Sequence, residues 1–177
     1  MSNVTRILGI DPGSQVTGFG LVDARQRGSE NRLIHFGAIR TKGEHSSRLR
    51  QIFEEVGRVV TEFHPDEVAV ERVFVHRNAD SALKLGQARA AALCATFQAD
   101  LPVFEYAARH IKKAVVGHGG ADKTQVQHMV KHLLGLSGTP QADAADALAV
   151  ALCHAHSEQN LVKLAGQARK TVRGRLR

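Results

Sequence analysis

Apolar residues in this chain follow two spacings. Short, nearly continuous runs occupy residues 6–10, 18–22, 33–39, 67–70 and 102–106. Turn residues bound these runs, which is how buried strands read. Elsewhere, apolar side chains recur every three or four residues. Leu49, Ile52, Phe53, Val56, Val59, Val60 and Phe63 mark a helix over 47–63, which Pro65 stops. Further helices are predicted over 79–97, with Asn78 or Asp80 as cap, and over 107–116, 122–134 and 142–156. Three successive strands, then helix, strand, helix, strand and more helices, predict an α/β protein with a mixed sheet. Its 177 residues suffice for one well-buried core, and neither repeat nor linker divides them. Residues 1–157 are therefore expected to form one domain, and 158–177 a loose C-terminal tail.

Four carboxylates break the apolar pattern. Asp11 ends the run Ile7-Leu8-Gly9-Ile10, Glu71 follows Val68-Ala69-Val70, and Asp143 and Asp146 sit among alanines opening the last helix. A buried, unpaired carboxylate costs several kcal/mol or takes up a proton. Asp11-Pro12-Gly13-Ser14 alone is an ordinary turn, but its place after a buried strand is where α/β sheets collect ligands. Glu71 is unfavourable in a strand, and adjacent Arg72 points to the opposite side, so the two do not pair. Asp143 could cap its helix. Asp146, three residues further on, cannot, and it shares a helix face with Asp143. Convergence of all four on cations removes the repulsion, and an all-oxygen set suits a hard ion such as Mg²⁺.

Composition narrows the class. The chain is 43% hydrophobic and 23% charged, too apolar for a disordered protein. No apolar stretch reaches the ~18–20 residues that span a bilayer, and residues 1–6 lead into a strand without a signal-peptide core. Cytoplasm is the expected location, with no membrane partner. Of the net charge of +7, residues 157–177 supply +5, with six cations against Glu158. Such a tail attracts polyanions, nucleic acid among them, although charge alone leaves a solvated tail equally open. Cys94 and Cys153 lack metal or redox spacing and are expected as buried free thiols.

Weaker motifs are mostly excluded. Gly117-His118-Gly119-Gly120-Ala121-Asp122-Lys123-Thr124 places Asp, not Gly, before Lys, so it is not a nucleotide-binding P-loop. It reads equally as a connector or as a helix N-terminus offering amides to a DNA phosphate. His128 and His132 lack the Glu of a zinc-protease motif and read as a solvated face, and His154 and His156 complete no zinc set. Phe74 reads as core packing or as an aromatic that stacks on or wedges between bases.

Several segments in order closely resemble the bacterial RuvC family of Holliday junction resolvases, over about residues 6–156. They are Ile7–Ser14, Glu71-Arg72-Val73-Phe74, the stretch from Asn78 to Arg89, and Gln141-Ala142-Asp143-Ala144-Ala145-Asp146-Ala147-Leu148. The resemblance implies an RNase H-like fold with a five-stranded mixed sheet flanked by helices. It also implies a homodimer, four-way junction DNA as substrate, and the RuvA–RuvB branch-migration complex as partner. Catalytic, metal-binding carboxylates would be Asp11, Glu71, Asp143 and Asp146, holding two Mg²⁺, with Mn²⁺ able to substitute. Lys112 and Lys123 match the family's functional lysines and are expected at the DNA as well. Phe74 matches its junction-wedging aromatic, residues 78–89 its dimer-forming helix, and Arg77, Lys84 and Arg89 are further expected DNA contacts. Paired symmetric nicks leaving 5′-phosphate and 3′-hydroxyl ends would follow. Two other readings compete. An actin-like or sugar-kinase-like ATPase would need a second Asp-x-Gly strand-turn and a longer chain. A purely architectural junction binder would gain nothing from four negative charges beside DNA.

Overall fold

Strand alternation decides which side of the sheet each carboxylate faces. The computed structural model describes residues 4–25, 30–72 and 78–173, with side chains described as far as residue 160. Strands β1 (Val4–Asp11), β2 (Val16–Arg25) and β3 (Arg32–Arg40) form an antiparallel meander. Strand β4 (Glu67–Arg72) pairs parallel to the free side of β1, and β5 (Val103–Ala107) parallel to β4, giving the order β3-β2-β1-β4-β5. This is the expected five-stranded mixed sheet.

Helices α1 (His45–Phe63) and α2 (Ala79–Phe97) cover one face, packing on Leu8, Ile10, Leu21, Val68 and Val70. Helices α3 (Ala108–Val116), α4 (Lys123–Leu133) and α5 (Ala142–Arg173) cover the other, where Ile7, Val22 and Ala69 point. Successive strand residues alternate faces. Asp11 therefore shares the α5 side with Ile7, and Glu71 shares it with Ala69. Leu148 and Leu152 of α5 are fully buried there, each worth about 1.5–3 kcal/mol.

Two glycines fix how closely α5 lies on the sheet. A β-carbon on Gly9 would overlap the Ala147 carbonyl oxygen, and one on Gly18 the Asp143 carbonyl oxygen. Backbone thus meets backbone beside the end of β1, a close approach only glycine permits.

The helix ends follow local chemistry. Asn78, not Asp80, caps α2, its side chain accepting from the Ser81 amide at 3.2 Å, while Asp80 pairs with Lys84 at 2.7 Å. His64 closes α1 in the left-handed region, directly before Pro65. Two expectations need correction. Helix α5 continues to Arg173 rather than ending near residue 156. Residues 157–173 contain no proline and many Leu, Lys, Gln, Ala and Arg, all good helix formers, and the single Gly166 costs only about 1 kcal/mol within the helix. Cys153 is buried and free, but Cys94 is exposed. Helix α2 turns Ala88, Ala92, Leu93, Ala95 and Thr96 inward, leaving position 94 outside.

Candidate active site

The carboxyl ends of β1 and β4 lie side by side, with Ile10 opposite Val70 in register. The next residue of each strand, Asp11 and Glu71, projects toward the start of α5. Because Gly18 brings that start onto the sheet, Asp146 enters the same space. Asp11, Glu71 and Asp146 line one cleft of about 420 Å³, with Lys112 from α3 and Lys123 from α4 on its wall. Arg72 also borders the cleft, and Pro12, Leu85, Ala108, Ile111, Val126 and Ala149 supply the rest of its lining. Asp143 stands outside this lining, yet near enough that its charge acts on both Asp11 and Asp146.

The site is electrostatically unbalanced. Burial pushes the Asp11 carboxyl up to about 7, and the charges of Asp146, Glu71 and Asp143 add to it, with Lys123 opposing. Burial also raises Glu71, helped by Asp146 and countered by Lys112 and Lys123. Asp146 is raised by burial as well, mainly against the pull of Lys123, whose Nζ lies 3.5 Å from Asp146 Oδ2. Lys123 is 79% exposed, so its offset is weak. Like charges held together in a partly desolvated cleft mark a place for cations. Among the described residues, however, no three His, Cys, Asp or Glu side chains are arranged as a metal-holding group. The four carboxylates share one region without forming a closed cage.

Other expected residues fall in different places. Phe74 and Arg77 lie outside the described residues. Lys84 is on the exposed side of α2 in its pair with Asp80. Arg89 is turned onto Glu105 at 2.6 Å, and Arg72 approaches the same carboxylate at 3.6 Å, away from Glu71 as the pleat requires. The amides that open α4 are in part taken up by the helix's own cap. Asp122 caps α4, accepting from the Gln125 amide at 2.8 Å, while the Gln125 side chain accepts from the Asp122 amide at 2.9 Å. A capping carboxylate there would repel phosphate. His128 and His132 are exposed on α4, as expected.

One cluster escaped the sequence. His154, fully buried on α5, bridges Tyr106 on β5 through Nδ1 at 2.6 Å and Glu67 on β4 through Nε2 at 2.7 Å. Its ring stacks on Phe104 at 4.3 Å. Burial raises Tyr106 to about 12, so the phenol keeps its proton. A phenol donating to Nδ1 leaves Nε2–H to donate to Glu67, which satisfies every member. A histidine inside the apolar stretch Ala149–Ala155, and Glu67 sharing the strand face of Glu71, were the available signals.

Comparison with known proteins gives this geometry its context. The chain is 61% identical over 172 residues to the crossover junction endodeoxyribonuclease RuvC of Pseudoalteromonas translucida, covering 97% of this chain and 98% of that one. It is 59% identical over 172 residues to the enzyme of Aeromonas salmonicida, with the same coverage. Thermus thermophilus RuvC in complex with Holliday junction substrate superposes with a TM-score of 0.82 at 38% identity, covering 88% of this chain and 95% of that one. The yeast mitochondrial Holliday junction resolvase shares the fold at 12% identity, with a TM-score of 0.58 over 90% of this chain and 86% of that one. The sheet and its flanking helices are thus RNase H-like. The family model for crossover junction endodeoxyribonuclease RuvC matches residues 7–154, a span that includes both strand-end carboxylates and both aspartates of α5, and the chain belongs to that family.

Proposed function

We propose that this chain is a magnesium-dependent endonuclease that resolves four-way DNA junctions as a homodimer, in recombination and repair. The observation that carries the reading is Asp11, Glu71 and Asp146 in one cleft, with Asp11 driven up to about 7. A protein that keeps three half-buried acids together against their own repulsion gains nothing from them without a cation. The substrate reading is supported by the relatives named as crossover junction endodeoxyribonucleases and by the Thermus thermophilus structure with Holliday junction.

Asp11, Glu71, Asp143 and Asp146 are the residues that would hold the ions. Magnesium, with manganese as a substitute, supplies Lewis-acid stabilisation of the attacking and departing oxygens of phosphodiester hydrolysis. Glu71, raised by burial, is suited to accept the proton of the attacking water. The water oxygen bonds to phosphorus as the bond to the 3′-oxygen breaks. The products are therefore a 5′-phosphate and a 3′-hydroxyl. Lys112 and Lys123 line the cleft and would offset the charge that develops on the phosphoryl oxygens. Phe74 and Arg77 follow Glu71 within a few residues and would meet the strands where the junction crosses.

Helix α2 supports the dimer reading. It exposes Leu83 at 62% and Phe97 at 59%, while its Leu85 lines the cleft. A two-fold contact through α2 would couple two clefts and set two nicks on strands of like polarity. Lys84, beside Leu83, would exchange Asp80 for a phosphate, whereas Arg89 would have to leave Glu105. A branch-migration machine of the RuvA–RuvB type would deliver the junction, and chromosomal DNA as substrate puts the enzyme in the cytoplasm. No described helix is long and apolar enough to cross a membrane.

The test is cleavage of a synthetic junction end-labelled on each strand in turn, in Mg²⁺ and in chelator. Paired nicks at symmetric positions in Mg²⁺ alone are expected. Cutting in chelator, or equal cutting of linear duplex, would overturn the reading.

A further inference from the structure

Beyond the cleft, the active end of the sheet carries a second group of cations, spread over the end of β3, its connection to α1 and the first turn of α1. Arg40, Lys42 and Arg48 lie there, all available to solvent to differing degrees. None has a salt-bridge partner among the described residues, unlike Arg6, Arg58, Arg72, Lys84, Arg89 and Lys123. Exposed cations left unpaired in a cluster repel one another and favour a polyanion.

The connection is held against the catalytic segments at two points. Thr41 donates from its amide to the Gln15 carbonyl at 3.0 Å and from its hydroxyl to the Ser14 carbonyl at 2.9 Å, on the loop that leaves Asp11. Arg40 donates to Gln141 Oε1 at 3.0 Å, two residues before Asp143. Its own backbone is braced as well. Gln51 accepts from the Lys42 amide at 3.1 Å and donates to its carbonyl at 2.8 Å. Arg48 Nε donates to the Gly43 carbonyl at 2.8 Å, and Gly43 takes the positive φ of 87° that the turn needs. These bonds use one guanidinium nitrogen of each arginine and none of the lysine ammonium. The remaining donors stay available.

We propose that Arg40, Lys42 and Arg48 form a preorganised shelf for the phosphodiester backbone of one duplex arm of the substrate. This inference rests on the junction reading above. DNA engaged at the cleft must continue across the neighbouring surface, and this shelf is fastened to the two segments that present Asp11 and Asp143. The backbone of the segment and the Arg40 and Arg48 side chains are held before DNA arrives, so less order is lost on contact than free side chains would lose. Phosphate contacts of this kind position the duplex without reading its sequence.

The test compares the full chain with Lys42→Gln and with the triple variant Arg40→Gln/Lys42→Gln/Arg48→Gln. Equilibrium binding of a fluorescent four-way junction is measured in chelator across a salt series. Each phosphate contact contributes about 0.9 to the slope of log affinity against log salt. The single variant should flatten the slope by about 1 and the triple by about 2–3, with at least about tenfold weaker binding. Arg50→Gln, two residues from Arg48 and so on another side of α1, removes equal charge and should leave the slope unchanged. Equal slopes for the full chain and Lys42→Gln would overturn the shelf alone. So would a change in Arg50→Gln as large as in Lys42→Gln, because net charge would then account for the effect. Failure of the unmutated chain to prefer the junction over linear duplex would instead overturn the function reading, and the shelf with it.

Discussion

Asp11 is held in a state that destabilises the metal-free protein. Its carboxyl titrates near 7 in the folded chain against an ordinary 3.8, because of burial and the three acids around it. The folded state therefore binds the proton more tightly than the unfolded chain. Stability from this group is intact below about 4, is lost as pH rises toward 7, and stays lost above it. The shift sets an upper bound of about 4 kcal/mol, and solvent at the mouth of the cleft reduces it to about 2–3. Asp11→Asn in chelator at pH 8 should melt about 5–10 °C above the unmutated protein, with the gap closing toward pH 4. Calorimetry checks this, and an unchanged or lower melting temperature at pH 8 would contradict it. Mg²⁺ should raise the melting temperature of the unmutated protein more at pH 8 than at pH 5. Lys123 acts in the opposite sense, as the cation nearest Asp146. Lys123→Gln should lower single-turnover cleavage about 10²- to 10³-fold while shifting stability by no more than about 1 kcal/mol.

Helix α5 is the element on which the site depends, since Asp143 and Asp146 move with it. Gly9 and Gly18 let it touch the sheet, and the Tyr106–His154–Glu67 chain fixes it to β4 and β5. Gly9→Ala forces a methyl group into the Ala147 carbonyl. It should cost about 1–3 kcal/mol and reduce cleavage further than the stability loss explains, because the helix aspartates are displaced from Asp11. His154→Leu leaves the partly buried Glu67 and Tyr106 without their shared partner and should cost about 1–3 kcal/mol by urea unfolding. The element pattern was legible because strand alternation and helix spacing are local signals, and the same alternation put Asp11 and Glu71 on one face. The rest depended on contacts between distant segments. Residues 157–173 read as a tail because their charge dominated their helix-forming composition. The partners of His154 come from two strands far away in sequence. The carboxylates' shared region could be inferred from Asp11, Glu71 and Asp146, but not that they stop short of a closed cage, since side-chain rotamers are not written in spacing.

At the level of the whole molecule, the chain carries its positive charge unevenly. Six cations lie in residues 157–177, on and beyond the extension of α5. Truncation after Glu158 should weaken junction binding and flatten its salt dependence by about 0.9 for each phosphate these cations neutralise. An unchanged slope would mean that this segment does not meet DNA. A dimer through α2 would make the two clefts act as one device, so nicks on the two strands should be coupled in a single binding event. All of this presupposes that the acids of the cleft perform the cutting. The most direct measurement is single-turnover cleavage of a four-way junction by Asp11→Asn, Glu71→Gln and Asp146→Asn, with junction binding measured on the same preparations. Cleavage should fall at least about 10³-fold in each, with binding unchanged or slightly tighter as negative charge leaves the DNA surface. Full cleavage by Asp146→Asn, or loss of binding in step with loss of cutting, would contradict the account.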